Sequence, residues 1–301
     1  MSNGFHEGEC AVQDRAGVRH MAIRVGNSIR AEFPERVPAF LRDRRMLFVA
    51  AMDGEGRPWL SVLSGPGGFL TVPDSRSLRI EASPHPDDPV TPGLAPGAFM
   101  GCIAIDFATR RRARINGRVR TADEKGITLE VDQVYSNCPK YIQRREPGRE
   151  VEARPSPAPV RRGRDLTESQ RESIRRADTF FIATVYPERG ADASHRGGMP
   201  GFVHTVGSDI GWPDYPGNAM FNTLGNIRAY PRAGLLFLDF AEGSTLQLTG
   251  EAAIHWRPES AAAVPGAERL VRVTTVESVE IRDRLPFSMK RLDYSPFNPG
   301  G

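Results

Sequence analysis

A gapless shift of 133 positions lays the first half of the chain over the second, and this internal repeat constrains the fold more than any other feature. Phe48 falls on Phe181, Ala50 on Ala183, Glu55 on Glu188 and Ser61 on Ser194. Gly65, Gly68 and Phe69 fall on Gly198, Gly201 and Phe202; Ser75 falls on Ser208 and Gly101 on Gly234. Asp106, Phe107 and Ala108 fall on Asp239, Phe240 and Ala241, and Gly117 on Gly250. These are 13 identities in the 70 positions from 48 to 117, where ordinary composition would give roughly four or five. The matches sit at equivalent places in a strand pattern, so two copies of one β-rich unit are expected.

Each copy reads as short strands bounded by turn residues: 47–51, 59–63, 68–72, 78–81, 99–107 and 113–120, then 180–185, 191–196, 202–206, 234–240 and 245–255. Asp53-Gly54-Glu55-Gly56 and Pro187-Glu188-Arg189-Gly190 supply the hairpin turns between the first two strands of each copy. A small closed barrel, which leaves no exposed sheet edge, suits this spacing. Before the second copy, Thr167 and Gln170 read as N-cap and third residue of a helix. The expected fold class is therefore mainly β with flanking helices (α+β): two tandem split β-barrels related by the repeat. Residues 1–143 would hold an N-terminal helical segment and a first, degenerate barrel. Residues 144–165, with four prolines among charges, read as a linker, and 166–301 as the second barrel, which carries the ligand site.

Composition narrows the partners. The charge is +3, from 40 basic and 37 acidic residues. The clusters Arg110–Arg114, Arg144–Arg149 and Arg161–Arg164 lack interleaved aromatics and read as solvated faces, so no nucleic-acid partner is expected. No apolar run is long enough to span a bilayer and no signal-peptide layout opens the chain, so no membrane partner and a cytoplasmic location are expected. Three scattered cysteines and six histidines without ligand spacing suggest neither disulfides nor a metal.

The two copies differ where a ligand would sit. Residues 218–227 can form a helix or structured turn with free N–H groups and the side chains of Asn222, Thr223 and Asn226. The matching stretch in the first copy carries Pro86, Pro89 and Pro92, which lack donors and break helices. The strand ending Ser194-His195-Arg196 is followed by Gly197 and Gly198. It offers a hydroxyl, an imidazole and a guanidinium fork suited to phosphate, on backbone that a ligand can approach. Ser194, His195 and Asp192 also suggest a hydrolase, but neighbours on a strand point to opposite faces and no nucleophile elbow is present.

At these residues the sequence resembles the pyridoxamine 5′-phosphate oxidase-like family of FMN-binding split barrels. The resemblance rests on 177–184, 190–198, 200–202, 222–227, 231–240 and 246–250; Phe5-His-Glu-Gly-Glu9 and Tyr135–Gln143 resemble a two-barrel branch. It implies FMN in a cleft between barrels; the residues alone do not distinguish FMN from another phosphorylated cofactor such as a deazaflavin. The phosphate grip would map to Ser194, His195, Arg196 and Gly197, and the following turn to Asn222, Thr223, Leu224, Gly225 and Asn226. Gln247 matches a position facing the flavin. Lys140, near the start of a short helix capped by Ser136 or Asn137, lies either in the site wall or in a plain connector. The oxidase proper carries an Arg-x-His near its C-terminus; residues 256–301 have none, which argues against pyridoxal phosphate synthesis.

Two classes of function follow. One is an FMN-dependent oxidoreductase using a small-molecule substrate and an electron donor such as NAD(P)H. The other is a non-catalytic flavin-binding or storage protein. No general acid or base is fixed, although His195 and His204 are candidates. The halves would pair as an internal pseudo-dimer, or two chains would pair as a homodimer.

Overall fold

The computed structural model describes residues 4–150, 159–256, 264–282 and 284–299. The first half begins with helices α1 (Glu7–Arg15), α2 (Arg19–Gly26) and α3 (Val37–Arg42). Its strands are β1 (Met46–Met52), β2 (Pro58–Ser64), β3 (Leu70–Asp74), β4 (Ser77–Ile80), β5 (Phe99–Asp106), β6 (Arg111–Asp123) and β7 (Gly126–Ser136). After β8 (Arg144–Glu150) and β9 (Val160–Gly163) comes α4 (Glu168–Arg176), capped as expected by Thr167 with Gln170 reaching back. The second half continues with β10 (Thr179–Tyr186), β11 (Gly190–Gly197), β12 (His204–Val206), β13 (Asp209–Asp214), α5 (Asn222–Ala229), β14 (Arg232–Leu238), β15 (Thr245–His255), β16 (Arg269–Ile281) and β17 (Phe287–Asp293). No helix of the described residues is long and apolar enough to cross a membrane.

The protein is mainly β. One sheet has the order β2-β1-β5-β6-β7-β4-β3 and the other β11-β10-β14-β15-β16-β13-β12, the same order once each strand is matched to the one nine later. Neither sheet closes on itself, which corrects the closed barrels expected from strand spacing. The edges are managed by stacking. Edge strand β2 packs on β14, β10 and β15, while edge strand β11 packs on β5, β1 and β6.

Each sheet has its own apolar core, and a third lies between them. This shared core joins Phe48, Leu60 and Ile103 to Phe181, Ala193 and Leu236. The two backbones approach closely at glycines. A Cβ on Gly101 would fall 2.7 Å from the Ala191 carbonyl carbon, and one on Gly234 would fall 2.9 Å from that of Pro58. Any side chain at either glycine would push the sheets apart.

Several elements differ from the sequence expectation. Strands β7, β13 and β16 and the short β17 had no clear pattern and form through pairing with distant partners. The stretch read as a linker is strand at both ends: β8 pairs with β17 and β9 with β16, while 151–158 lie outside the described residues. Charges and a proline in β8 suit a two-stranded ribbon, where only one side needs a partner. Residues 137–143 form no helix. Tyr141 is left-handed (φ 67°), its N–H donates to Ser295 Oγ at 3.1 Å, and Gln143 bridges the backbone at Asp178, Gly198 and Ser295. These tertiary hydrogen bonds replace a helical ladder.

Helix α1 crosses to the second half. It lies against α5 at two glycines: a Cβ on Gly225 would fall 2.6 Å from Glu9 Cα, and Gly8 is equally tight against Gly225. His6 caps α1, accepting from Gly8 N at 3.1 Å, while Glu9 accepts from His6 N at 2.9 Å. His6 Nδ1 is thus an acceptor, and Nε2 donates to Asn226 Oδ1 at 2.8 Å. Burial lowers the His6 pKa, consistent with this neutral tautomer.

Candidate functional site

A polar cleft lies where β6 of the first half meets β11 and α5 of the second. Its walls include Arg112, Arg114, Ser194, Arg196, Tyr215 and Thr223. Of the sequence-derived candidates, Ser194, His195, Arg196, Gly197, Asn222, Thr223, Leu224 and Lys140 all line it. Strand β11 runs antiparallel to β10, with Ile182 opposite Ser194 and Phe180 opposite Arg196, which fixes the strand end at the cleft.

Three candidates lie elsewhere. Gly225 is packed beneath Glu9. Asn226 is held by His6 and donates to Thr184 Oγ1 at 3.0 Å. Gln247 is fully buried between the sheets, donating to Leu60 O at 3.1 Å and Asp88 Oδ1 at 2.8 Å. Gln247 is drawn there because β15 faces β2, not β11. His204 sits on β12 and is exposed, away from the cleft.

Helix α5 begins without a side-chain cap. Phe221, at the cap position, is left-handed (φ 61°), so the first N–H groups of the helix have neither helical acceptor nor cap. Beside them Thr223 Oγ1 donates to Ser194 Oγ at 3.0 Å. Ser194 makes no hydrogen bond to His195, in keeping with the rejection of a hydrolase dyad.

The sequence reading missed the arginines of the first half. Arg110–Arg114 read as a solvated cluster, yet β6 turns Arg112 and Arg114 inward, with Arg114 only 4% exposed. The signal was present in the two-residue period of the strand. Arg114 forms an ion pair with Asp192, to which Asn116 Nδ2 donates at 3.1 Å and Tyr135 OH at 3.3 Å. Burial works against the charge of Arg114, but Asp192 carries its pKa upward.

Arg112 has no such partner. It donates to Cys138 O at 2.6 Å and lies 3.4 Å from His195 Nδ1, while its Nε is sealed with no hydrogen-bond partner. Among the described residues no carboxylate pairs with it. Burial, then the charges of Arg114 and Arg196, push its pKa down to about 9. Burial also lowers Arg196, and burial with Arg112 and Arg196 holds His195 well below its usual range, hence neutral. His195 Nε2 is likewise buried without a partner. Asp214, a nearby acid, is engaged by Arg269 at 2.9 Å. Three guanidinium groups thus face one another with Asp192 committed to only one of them.

Beneath the cleft, Asn222 bridges the halves of this network, facing Arg114 at 3.5 Å and donating to Glu9. Burial raises the Glu9 pKa to about 7. Tyr141 and Tyr215 form an aromatic pair on the wall, with centroids 5.3 Å apart. Lys140 lies across from Phe297 at 5.7 Å.

Residues 166–290 match the family model for pyridoxamine 5′-phosphate oxidase. No curated protein matches the sequence. Three solved structures share low identity with part of the chain. One is general stress protein 26 from Bacillus anthracis: 11% identity, TM-score 0.30, covering 41% of this chain and 97% of that one. Another is a FAD-binding protein from Mesorhizobium loti: 12%, TM-score 0.28, covering 40% and 97%. The third is a heme storage protein from Vibrio cholerae: 10%, TM-score 0.29, covering 39% and 92%. Over residues 166–290, about two fifths of its length, the chain is therefore similar to the pyridoxamine 5′-phosphate oxidase family.

Proposed function

We propose that the cleft binds the phosphate of FMN and that the chain works as an FMN-dependent oxidoreductase on a small molecule. The observation that carries the reading is Arg112, a guanidinium held beside Arg114 and Arg196 with a sealed, unpartnered Nε. Uncompensated buried charge is costly and is kept where a ligand compensates it. A phosphate dianion supplies the missing acceptors. Arg112, Arg196 and the N–H groups at the start of α5 would hold it, with the hydroxyls of Ser194 and Thr223 beside them. Asp192 keeps Arg114 charged and oriented. The aromatic pair Tyr141 and Tyr215 offers a flat surface for a ring system. FMN, when bound, supplies hydride and electron chemistry, and the protein supplies position and field. Neutral His195, with its free Nε2, is one side chain in the cleft able to hold a proton near the ligand.

We further propose that the two halves act as an internal pseudo-dimer with one flavin site per chain. The reading is supported by first-half Arg112 and Arg114 standing in the same cleft as second-half Ser194 and Arg196. The first half thus donates ligand-facing charge as well as cover.

The purified protein should take up FMN in a saturable titration followed by the visible spectrum, and should bind riboflavin more weakly. Equal affinity for both would remove the phosphate from the argument. Anaerobic mixing with NADH or NADPH separates turnover from storage. Rapid bleaching of bound FMN supports the oxidoreductase; bleaching by dithionite alone supports the storage protein.

A further inference from the structure

The stacking of the two sheets makes a second, buried counterpart of the cleft, related to the first by the 133-residue shift. In the first cleft Ser194 of β11 and Arg114 of β6 both line the wall. Their counterparts are Ser61 of β2 and Gln247 of β15. The pairings agree: Val49 lies opposite Ser61 as Ile182 lies opposite Ser194, and Leu236 lies opposite Gln247 as Ile103 lies opposite Arg114. The guanidinium of the first cleft has become an amide in the second.

Something already occupies this second position. Asp88, 2% exposed, accepts from Ser61 Oγ, from Gln247 Nε2 at 2.8 Å and from Val90 N at 3.1 Å. Arg284 Nε lies 4.0 Å from its carboxylate. The Nε and Nη2 atoms of Arg284 are buried without hydrogen-bond partners, as is Gln247 Oε1. Burial lowers the pKa of Arg284, and Asp88 opposes that fall. A hydroxyl, an amide N–H, a backbone N–H and a guanidinium therefore converge on one carboxylate, which is a donor set for an oxyanion.

We propose that this buried counterpart is a latent oxyanion cradle, stoppered by the chain's own Asp88, and that it accepts inorganic phosphate or sulfate when that carboxylate is removed. Asp88 and Ser61 come from the first half, Gln247 and Arg284 from the second, so the stopper also ties the halves together. The carboxylate satisfies the Ser61, Val90 and Gln247 donors at no cost in association entropy, leaving Arg284 unpaired, and a free anion competes against it at high effective concentration. The proposal needs only anion chemistry and does not depend on the first cleft holding a flavin.

The test uses full-length protein carrying Arg112→Gln to weaken the first cleft, with Asp88→Ala or Asp88→Ser added. Inorganic phosphate binding is measured by equilibrium dialysis at constant ionic strength, and near-ultraviolet circular dichroism checks the fold. Either added substitution should raise phosphate affinity at least about tenfold over the Arg112→Gln parent, and Arg284→Gln should abolish the gain. Asp88→Asn, which still fills the cradle, should give none. No gain in any folded Asp88→Ala or Asp88→Ser protein overturns the proposal, as does a gain that survives Arg284→Gln or appears equally with Asp88→Asn. If Asp88→Ala fails to fold, the smaller change to Ser carries the test. FMN affinity of the unsubstituted chain is read separately and tests only the first cleft.

Discussion

Phe48 and Phe181 stack face to face across the two sheets, ring centroids 3.6 Å apart and planes within 16°. They are the same position in the two copies of the repeat. Phe107 and Phe240, also repeat partners, meet edge to face at 5.4 Å. Contacts between like positions are what a two-fold interface produces, here within one chain. Because β6 and β11 are brought together by this stacking, the cleft depends on it.

Truncating either ring should destabilise the whole chain. Phe48→Ala and Phe181→Ala are each expected to cost about 3–5 kcal/mol, measured by chemical denaturation. The double variant should cost less than the sum, with a coupling of about 1 kcal/mol or more. Additive losses would mean that the rings pack independently.

Replacing Arg112 should trade binding for stability. Arg112→Met removes a charge that has no acid partner among the described residues. The ligand-free protein should become more stable by about 1–2 kcal/mol, while FMN affinity falls by about 2 kcal/mol, roughly thirtyfold. Riboflavin affinity should hardly change. Thermal melts and flavin titrations of the same preparation check both signs, and a loss of stability would make Arg112 a structural residue.

Glu9 should give stability a pH dependence. Its pKa rises from the usual 4.5 to about 7 because burial penalises the charged form. The folded state then binds this proton more tightly than the unfolded state does. The contribution is full below about 4.5 and is lost as pH rises through about 7. Glu9→Gln should flatten the stability profile in that window by on the order of 3 kcal/mol. Denaturation midpoints at several pH values test this, and parallel profiles for the two proteins would refute it.

A fragment of residues 164–301 should be unstable or unable to hold FMN. It lacks Arg112 and Arg114 from the cleft wall, Phe48 from the shared core, and Glu9 and His6 beneath α5. The alternative is that two chains pair second half to second half. A soluble fragment binding FMN as tightly as the full chain would favour that alternative and falsify internal pairing.

Much of the fold was legible locally. Strand β15 has the bounds read from the sequence, and β10 and β11 are each one residue longer at both ends, because alternation and turn residues act over a few positions. The Thr167 cap is likewise a short-range signal. The strand end at 194–197 and the start of α5, whose donors and glycines cluster in sequence, do line one cleft. What decided the rest is the stacking of one sheet on the other, which no local pattern encodes. It carries Arg114 to Asp192, 78 positions away, and takes Gln247 to Asp88 instead of the cleft. It also lays α1 across α5, where Glu9 and His6 claim Gly225 and Asn226. The sequence by itself determined two β units with the same strand order and different polar residues at matching positions. Only the tertiary structure decided which side chains face each other, because that follows from how two buried apolar faces and their glycines allow the sheets to approach.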